Sequence, residues 1–74
     1  MHKIPALTAK KVIDILEKSG FYLIRTSGSH FVYRNSISKK RVIVPYHKGD
    51  IPKGTLMSIL SQAGISRDKI NDLL

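Results

Sequence analysis

The 74-residue sequence contains no cysteine, which excludes a disulfide framework, a thiolate zinc site and a cysteine nucleophile. It has no apolar run close to the roughly 20 residues that a membrane-spanning helix needs. Its first residues lack the long apolar segment of a signal peptide. We therefore expect a protein of the cytoplasm with no membrane association. The length predicts one domain, residues 1–74.

The sequence also lacks the patterns of several enzyme classes. Its three histidines are scattered, and no carboxylates cluster beside them at metal-ligand spacing. It contains no P-loop, no Rossmann glycine pattern and no sign of a Ser-His-Asp triad. We expect neither a metal nor another cofactor.

Acidic residues are scarce, and their distribution is informative. Five Asp and Glu stand against thirteen Lys and Arg, giving a net charge of +8. No acid lies between Glu17 and Asp50, whereas seven basic residues do: Lys18, Arg25, Arg34, Lys39, Lys40, Arg41 and Lys48. A basic middle predicts an electropositive surface for a polyanion. The alternative is a solvated basic face that keeps the protein soluble, because charge alone indicates neither sequence readout nor catalysis.

Apolar spacing and capping residues predict the helices. Thr8 can cap a first helix over residues 8–19, with Ala9, Val12, Ile13 and Leu16 on its buried side and Gly20 after its end. Asp50 is predicted to cap a second helix with Pro52 in its first turn and Gly64 at its end. Ser66 can cap a short last helix whose apolar side carries Ile70, Leu73 and Leu74.

Three segments between the helices have the composition of strands, namely residues 21–26, 30–35 and 41–45. If residues 27–29 form a three-residue turn, Thr26 faces His30, Ile24 faces Val32 and Tyr22 faces Arg34. His30 then lies beside Arg34 on an open sheet face. Phe21, Leu23, Phe31 and Tyr33 form the face that receives the helices. A one-residue change in turn length would reverse this assignment.

The resulting α-β-β-β-α order predicts an α+β fold in which helices back a three-stranded antiparallel sheet. This is the arrangement of double-stranded RNA-binding domains. A fold alone does not name a function.

Short motifs carry a resemblance to the HicA family of toxin–antitoxin systems. Gly28-Ser29-His30, followed by Tyr33-Arg34, resembles the family's GSH signature. The other matching segments, in order, are Gly20-Phe21, Val44-Pro45-Tyr46-His47, Gly54-Thr55-Leu56, Ile59-Leu60 and Ala63-Gly64-Ile65-Ser66. Each is weak alone, but their order and spacing in one small basic chain make a strong combined signal. The resemblance implies a ribonuclease that cleaves messenger RNA, with His30 as its catalytic residue, and a HicB-type antitoxin that neutralises it.

RNA cleavage without a metal needs a base, an acid and positive charge on the phosphate. Histidine suits both proton transfers because its unperturbed pKa is near 6.5. Gly28 and Ser29 leave little bulk beside His30, so a phosphate could approach. His47 is a candidate for the complementary acid or a phosphate contact, and equally for a loop histidine without a role. We expect no role for His2.

Arg34, Lys39, Lys40, Arg41 and Lys48 are the expected phosphate contacts, with a solvated loop as the alternative for each. Tyr22 and Tyr46 could stack on bases, although packing explains tyrosines more often. Two other functions remain open. One is a non-catalytic module that binds double-stranded RNA by shape, and the other is an adaptor whose basic face binds an acidic protein.

Overall fold

The order of helices and strands in a computed structural model matches the predicted one. The structure describes residues 6–73, so the expectations for His2 and Leu74 fall outside it. The elements are α1 (Ala9–Lys18), β1 (Phe21–Ser27), β2 (His30–Asn35), β3 (Arg41–Pro45), α2 (Lys53–Ala63) and α3 (Arg67–Leu73). The three strands form one antiparallel sheet in the order β1-β2-β3. The α+β class and the helix-backed sheet are therefore confirmed.

Local chemistry sets both ends of α1. The Thr8 hydroxyl accepts a hydrogen bond from the Lys11 N–H at 3.3 Å, as an N-cap residue does. Gly20, just past the helix, has φ +94°, which favours glycine. The predicted apolar stripe was incomplete, because Ile15 is fully buried while Ile13 is only partly buried.

The predicted start of α2 was wrong. Asp50 does not cap the helix, since it forms an antiparallel β-bridge with Thr8, and the Leu7 carbonyl accepts from the Ile51 N–H at 2.8 Å. Pro52 occupies the N-cap position without a side-chain hydrogen bond. The segment before α2 is thus held by pairing with the segment before α1.

The helices described within residues 6–73 lack the length and apolar character that crossing a membrane requires.

The helices cover one face of the sheet; the other face has no helix on it, although Val32 at its centre is only 3% exposed. The core joins Val12 and Leu16 of α1 and Leu56 of α2 to Tyr33 of β2 and Val42 of β3. Strand residues alternate between faces, so the opposite face carries a second set, defined here as the open face. Its members, read across the strands, are Tyr22, Arg34 and Arg41, then Arg25, Val32 and Ile43, then Ser27, His30 and Pro45.

The β1–β2 hairpin differs from its prediction in two ways that compensate. Its turn has two residues rather than three, because Ser27 pairs with His30. A bulge between Leu23 and Arg25 then shifts the register by one residue. Thr26 therefore pairs with Phe31 and Arg25 with Val32, contrary to the prediction, whereas Tyr22 pairs with Arg34 as predicted.

The bulge returns the first residues of β1 to the predicted face. Phe21 is buried in the core, as expected. Leu23 pairs with Tyr33 on the helix-covered side, yet 45% of its surface is exposed. Since β1 is an edge strand, only its first residue is fully covered.

Candidate functional site

His30 is the first residue of β2 and lies exposed on the open face. Its cross-strand neighbours are Ser27 on one side and Pro45 on the other. The Gly28-Ser29 turn precedes it directly, and Gly28 has φ +58°. A Cβ placed on Gly28 would meet nothing within 4 Å, so glycine is required here by the backbone rather than by crowding.

The end of β3 is fastened to this turn. The Ser29 carbonyl accepts a hydrogen bond from the Tyr46 N–H at 2.6 Å. The Tyr46 ring also stacks on Phe31, with ring centroids 4.7 Å apart and planes 20° from parallel. These two contacts hold the strand on either side of His30 in place. Tyr46 therefore has a packing role, the more common explanation for a tyrosine.

His47 follows Tyr46 and lies in a different environment from His30. It lines a shallow depression of about 420 Å³ at the start of α1, together with Thr8, Ala9, Lys10, Tyr46, Lys48 and Gly49. The Phe31–Tyr46 stack belongs to the helix-covered side of the sheet, because Phe31 packs against the core. The structure thus brings the His47 segment to the same end of the sheet as His30, with its depression on the helix side. A catalytic role for His47 stays a prediction.

Arginines occupy the open face beyond His30. Arg34 lies four residues along β2, about 13 Å away at roughly 3.3 Å per residue. Arg34 and Arg41 pair directly across β2 and β3. Arg25 shares this face, and the sequence interpretation did not select it as a site residue. A two-residue turn with glycine first is a common hairpin type. This turn, together with a bulge in β1, would have predicted that Arg25 lies on the open face.

The two loop lysines lie at the opposite end of the sheet from His30. Lys39 follows β2 and has φ +64°. The Lys40 side chain lies against the end of α2, since a Cβ on Gly64 would be 3.1 Å from its Cε. Positive charge is favourable at a helix C-terminus, so the Lys40 side chain can stabilise the end of α2. Arg34 and Arg41 lie at this same end, whereas Lys48 follows β3 at the His30 end, so the five predicted phosphate contacts do not form one cluster.

Asn35 was not identified from the sequence as important. It is only 9% exposed, and its Nδ2 donates to the Ser19 carbonyl at 2.9 Å. Its Oδ1 accepts from the N–H groups of Ile37 and Ser38, each at 2.9 Å. One side chain thus joins the end of α1 to the loop between β2 and β3.

The charge around the site is one-sided because the segment between Glu17 and Asp50 contains no acid. Burial raises the pKa of Tyr33, on the helix-covered side, and electrostatic interactions with Glu17 and Tyr46 raise it further. Among residues 6–73, no three His, Asp or Glu side chains lie together in a way that could hold a metal ion.

Comparison with known protein families gives one result that bears on this site. The model of a family described as the HicA toxin of bacterial toxin–antitoxin systems matches residues 9–65. The matched stretch begins with α1 and extends just past α2, so it contains the Gly28-Ser29 turn, His30 and His47. No curated protein matches the chain.

Proposed function

The chain belongs to the HicA toxin family of toxin–antitoxin systems, and we propose that it is a metal-independent endoribonuclease that cleaves messenger RNA with His30 as general acid/base. The observation that carries this proposal is the position of His30. It is exposed at the start of a central strand, next to an open glycine turn and on a face with three arginines and no acid.

The chemistry is internal transfer at a phosphodiester. The His30 imidazole accepts the proton of a ribose 2′-hydroxyl, and the 2′-oxygen attacks the adjacent phosphorus. The bond from phosphorus to the 5′-oxygen breaks, and that oxygen takes up a proton. Water can supply the proton, and His47 is the candidate side chain at this end of the sheet. The products are a 2′,3′-cyclic phosphate and a 5′-hydroxyl end.

The remaining parts of the proposal concern binding. Arg34, Arg41, Lys39 and Lys48 are proposed phosphate contacts, and Lys40 is the weakest candidate because its side chain lies against the end of α2. Membership of a toxin–antitoxin family implies an antitoxin partner. We propose that it is a HicB-type protein that covers the open face and His30, blocking RNA by steric and electrostatic means. Action on messenger RNA places the toxin in the cytoplasm.

A cleavage assay with two matched variants tests the catalytic role. A long messenger RNA is incubated in excess EDTA with the wild type, His30→Ala or His47→Ala, after circular dichroism has shown that all three are folded. We expect wild-type cleavage with 5′-hydroxyl ends and a loss of about 10²–10⁴-fold in rate for His30→Ala, the usual contribution of a general acid/base. If His30→Ala cuts as fast as the wild type, His30 is not the catalytic group.

The fold itself favours one other function, a non-catalytic module that binds double-stranded RNA. That function predicts no cleavage by any of the three proteins and an equal gel shift by all of them. The same assay therefore separates the two candidates.

A further inference from the structure

Two arginines face each other on the open face without a carboxylate on any strand. Arg34 and Arg41 are exposed and directly paired across β2 and β3. Side chains at such positions have Cβ atoms about 4.5–5.5 Å apart, and like charges there destabilise a sheet. All acidic residues lie outside the segment that forms the strands. The pair thus reduces the stability of the free protein, and an anion bound between the two guanidinium groups would remove that loss.

Phosphate is the anion that suits this pair. A guanidinium group is planar and donates two parallel hydrogen bonds to phosphate oxygens. Two such groups from adjacent strands can bind one phosphate from both sides. Arg25, nearer to His30 on the same face, extends the positive charge along the sheet.

Apolar side chains are exposed beside these arginines, at the two edges of the sheet. Tyr22 pairs with Arg34 and is 46% exposed, and Ile43 lies next to Arg41 at 48% exposure. Such groups contact the flat faces of bases, which only a single strand presents. A duplex keeps its base faces stacked and would offer this surface only phosphate and sugar. Cationic groups beside an exposed aromatic ring, here Tyr22, are the combination that proteins use to bind single-stranded nucleic acid.

We propose that the open face binds RNA as a single strand, with Arg34 and Arg41 holding one phosphate and Tyr22 stacking on a neighbouring base. The inference rests on the proposed function, since it names the form of the substrate that reaches His30. It differs from the mode of double-stranded RNA-binding domains, because the strand lies on the sheet and no duplex geometry is read.

Binding is measured in a His30→Ala background so that the RNA stays intact. The probes are a labelled RNA without self-complementarity and its duplex with the complementary strand, at several salt concentrations. Three variants are compared in that background: Arg34→Gln with Arg41→Gln, Tyr22→Ala, and Lys11→Gln with Lys53→Gln as a control that removes two exposed charges from the helices.

We expect tighter binding to the single strand than to the duplex. The double arginine variant should bind the single strand about 10–100-fold more weakly, because it loses hydrogen bonds to a charged group. This fold-change is the free energy of those bonds converted at 1.4 kcal/mol per tenfold. Its slope of log affinity against log salt should fall by about 0.7 for the phosphate lost. Tyr22→Ala should weaken single-strand binding by about 5–150-fold, the range for one stacked base, and leave duplex binding unchanged.

A thermal measurement tests the arginine pair without RNA. Arg34→Gln or Arg41→Gln alone should raise the Tm by about 1–8 °C, because either change removes the like-charge contact. The second substitution should add little. A lowered Tm for both single variants would mean that the pair is not repulsive and would overturn its assignment as an anion-binding site.

The remaining outcomes also decide the question. Equal binding of the duplex and the single strand, with no effect of Tyr22→Ala, overturns the single-strand proposal. The proposal is also overturned if the double arginine variant binds RNA as well as the lysine control does. It is overturned as well if the open face binds an acidic protein but neither the single-stranded RNA nor the duplex. Single-strand binding by a wild type that never cuts RNA would remove the nuclease function and keep this inference. RNA cleavage without a preference for the single strand would keep the nuclease function and overturn this inference.

Discussion

Replacing Asn35 by alanine should cost a large part of the stability of this small domain. The change removes three hydrogen bonds, one to the Ser19 carbonyl and two from the N–H groups of Ile37 and Ser38. The two loop residues are exposed, so water can replace Asn35 there, and each bond contributes about 0.5–1 kcal/mol. The Ser19 bond is part-buried, and its carbonyl loses a partner at about 1–2 kcal/mol. The expected loss is about 2–4 kcal/mol, from the roughly 4–11 kcal/mol typical of a chain this long.

Urea unfolding followed by circular dichroism measures this loss, with Asn71→Ala as the matched control. Asn71 is exposed on α3, so the same chemical change should alter stability there by no more than about 0.5 kcal/mol. RNA cleavage well below the unfolding temperature should stay close to wild type, because Asn35 and His30 lie at opposite ends of β2. A difference between the two alanine variants below about 1 kcal/mol would refute the reasoning, since loss of the Ser19 hydrogen bond alone should cost at least about that much.

Three further predictions concern single side chains. Because the pKa of Tyr33 is raised, its neutral form contributes stability that is complete below the ordinary tyrosine value near 10 and is lost as the pH rises through the pKa of the folded protein. In urea unfolding from about pH 9 to 12, Tyr33→Phe should therefore lose less stability with rising pH than the wild type does. Gly64→Ala should lower stability by about 1–2 kcal/mol, since φ is +72° and the new Cβ would be 3.1 Å from Lys40 Cε; unchanged urea unfolding would contradict this. Tyr46→Ala should lower both stability and RNA cleavage by releasing Phe31, whereas Tyr46→Phe should preserve both; loss of cleavage in Tyr46→Phe would show that the hydroxyl is needed.

The helix ends were predictable because their causes are local. Thr8 accepts a bond from a residue three positions on, and Gly20 and Gly64 supply the positive φ that ends a helix. Asp50 shows the limit of this reasoning. It has a capping side chain at a suitable position, but pairing with Thr8, distant in sequence, holds it in a β-bridge instead.

The Asn35 bonds could not be predicted for the same reason. An asparagine at the end of a strand is expected to bond within its own turn, as Asn35 does with Ile37 and Ser38. Its third bond, to Ser19, exists only once α1 has packed on the sheet. Burial of the side chain is a tertiary outcome that no local pattern encodes.

The placement of His30 was correct although the turn length used to derive it was wrong. In β2, the central strand, alternation alone separates His30 from Phe31 and Tyr33, and the two aromatic residues must face the core. That separation does not depend on how β1 pairs. The edge strand β1 tolerates a bulge, and the bulge moved Arg25 to the open face while Phe21 stayed in the core. A residue on a central strand can therefore be assigned to a face from its own strand, whereas a residue on an edge strand requires the pairing to be known.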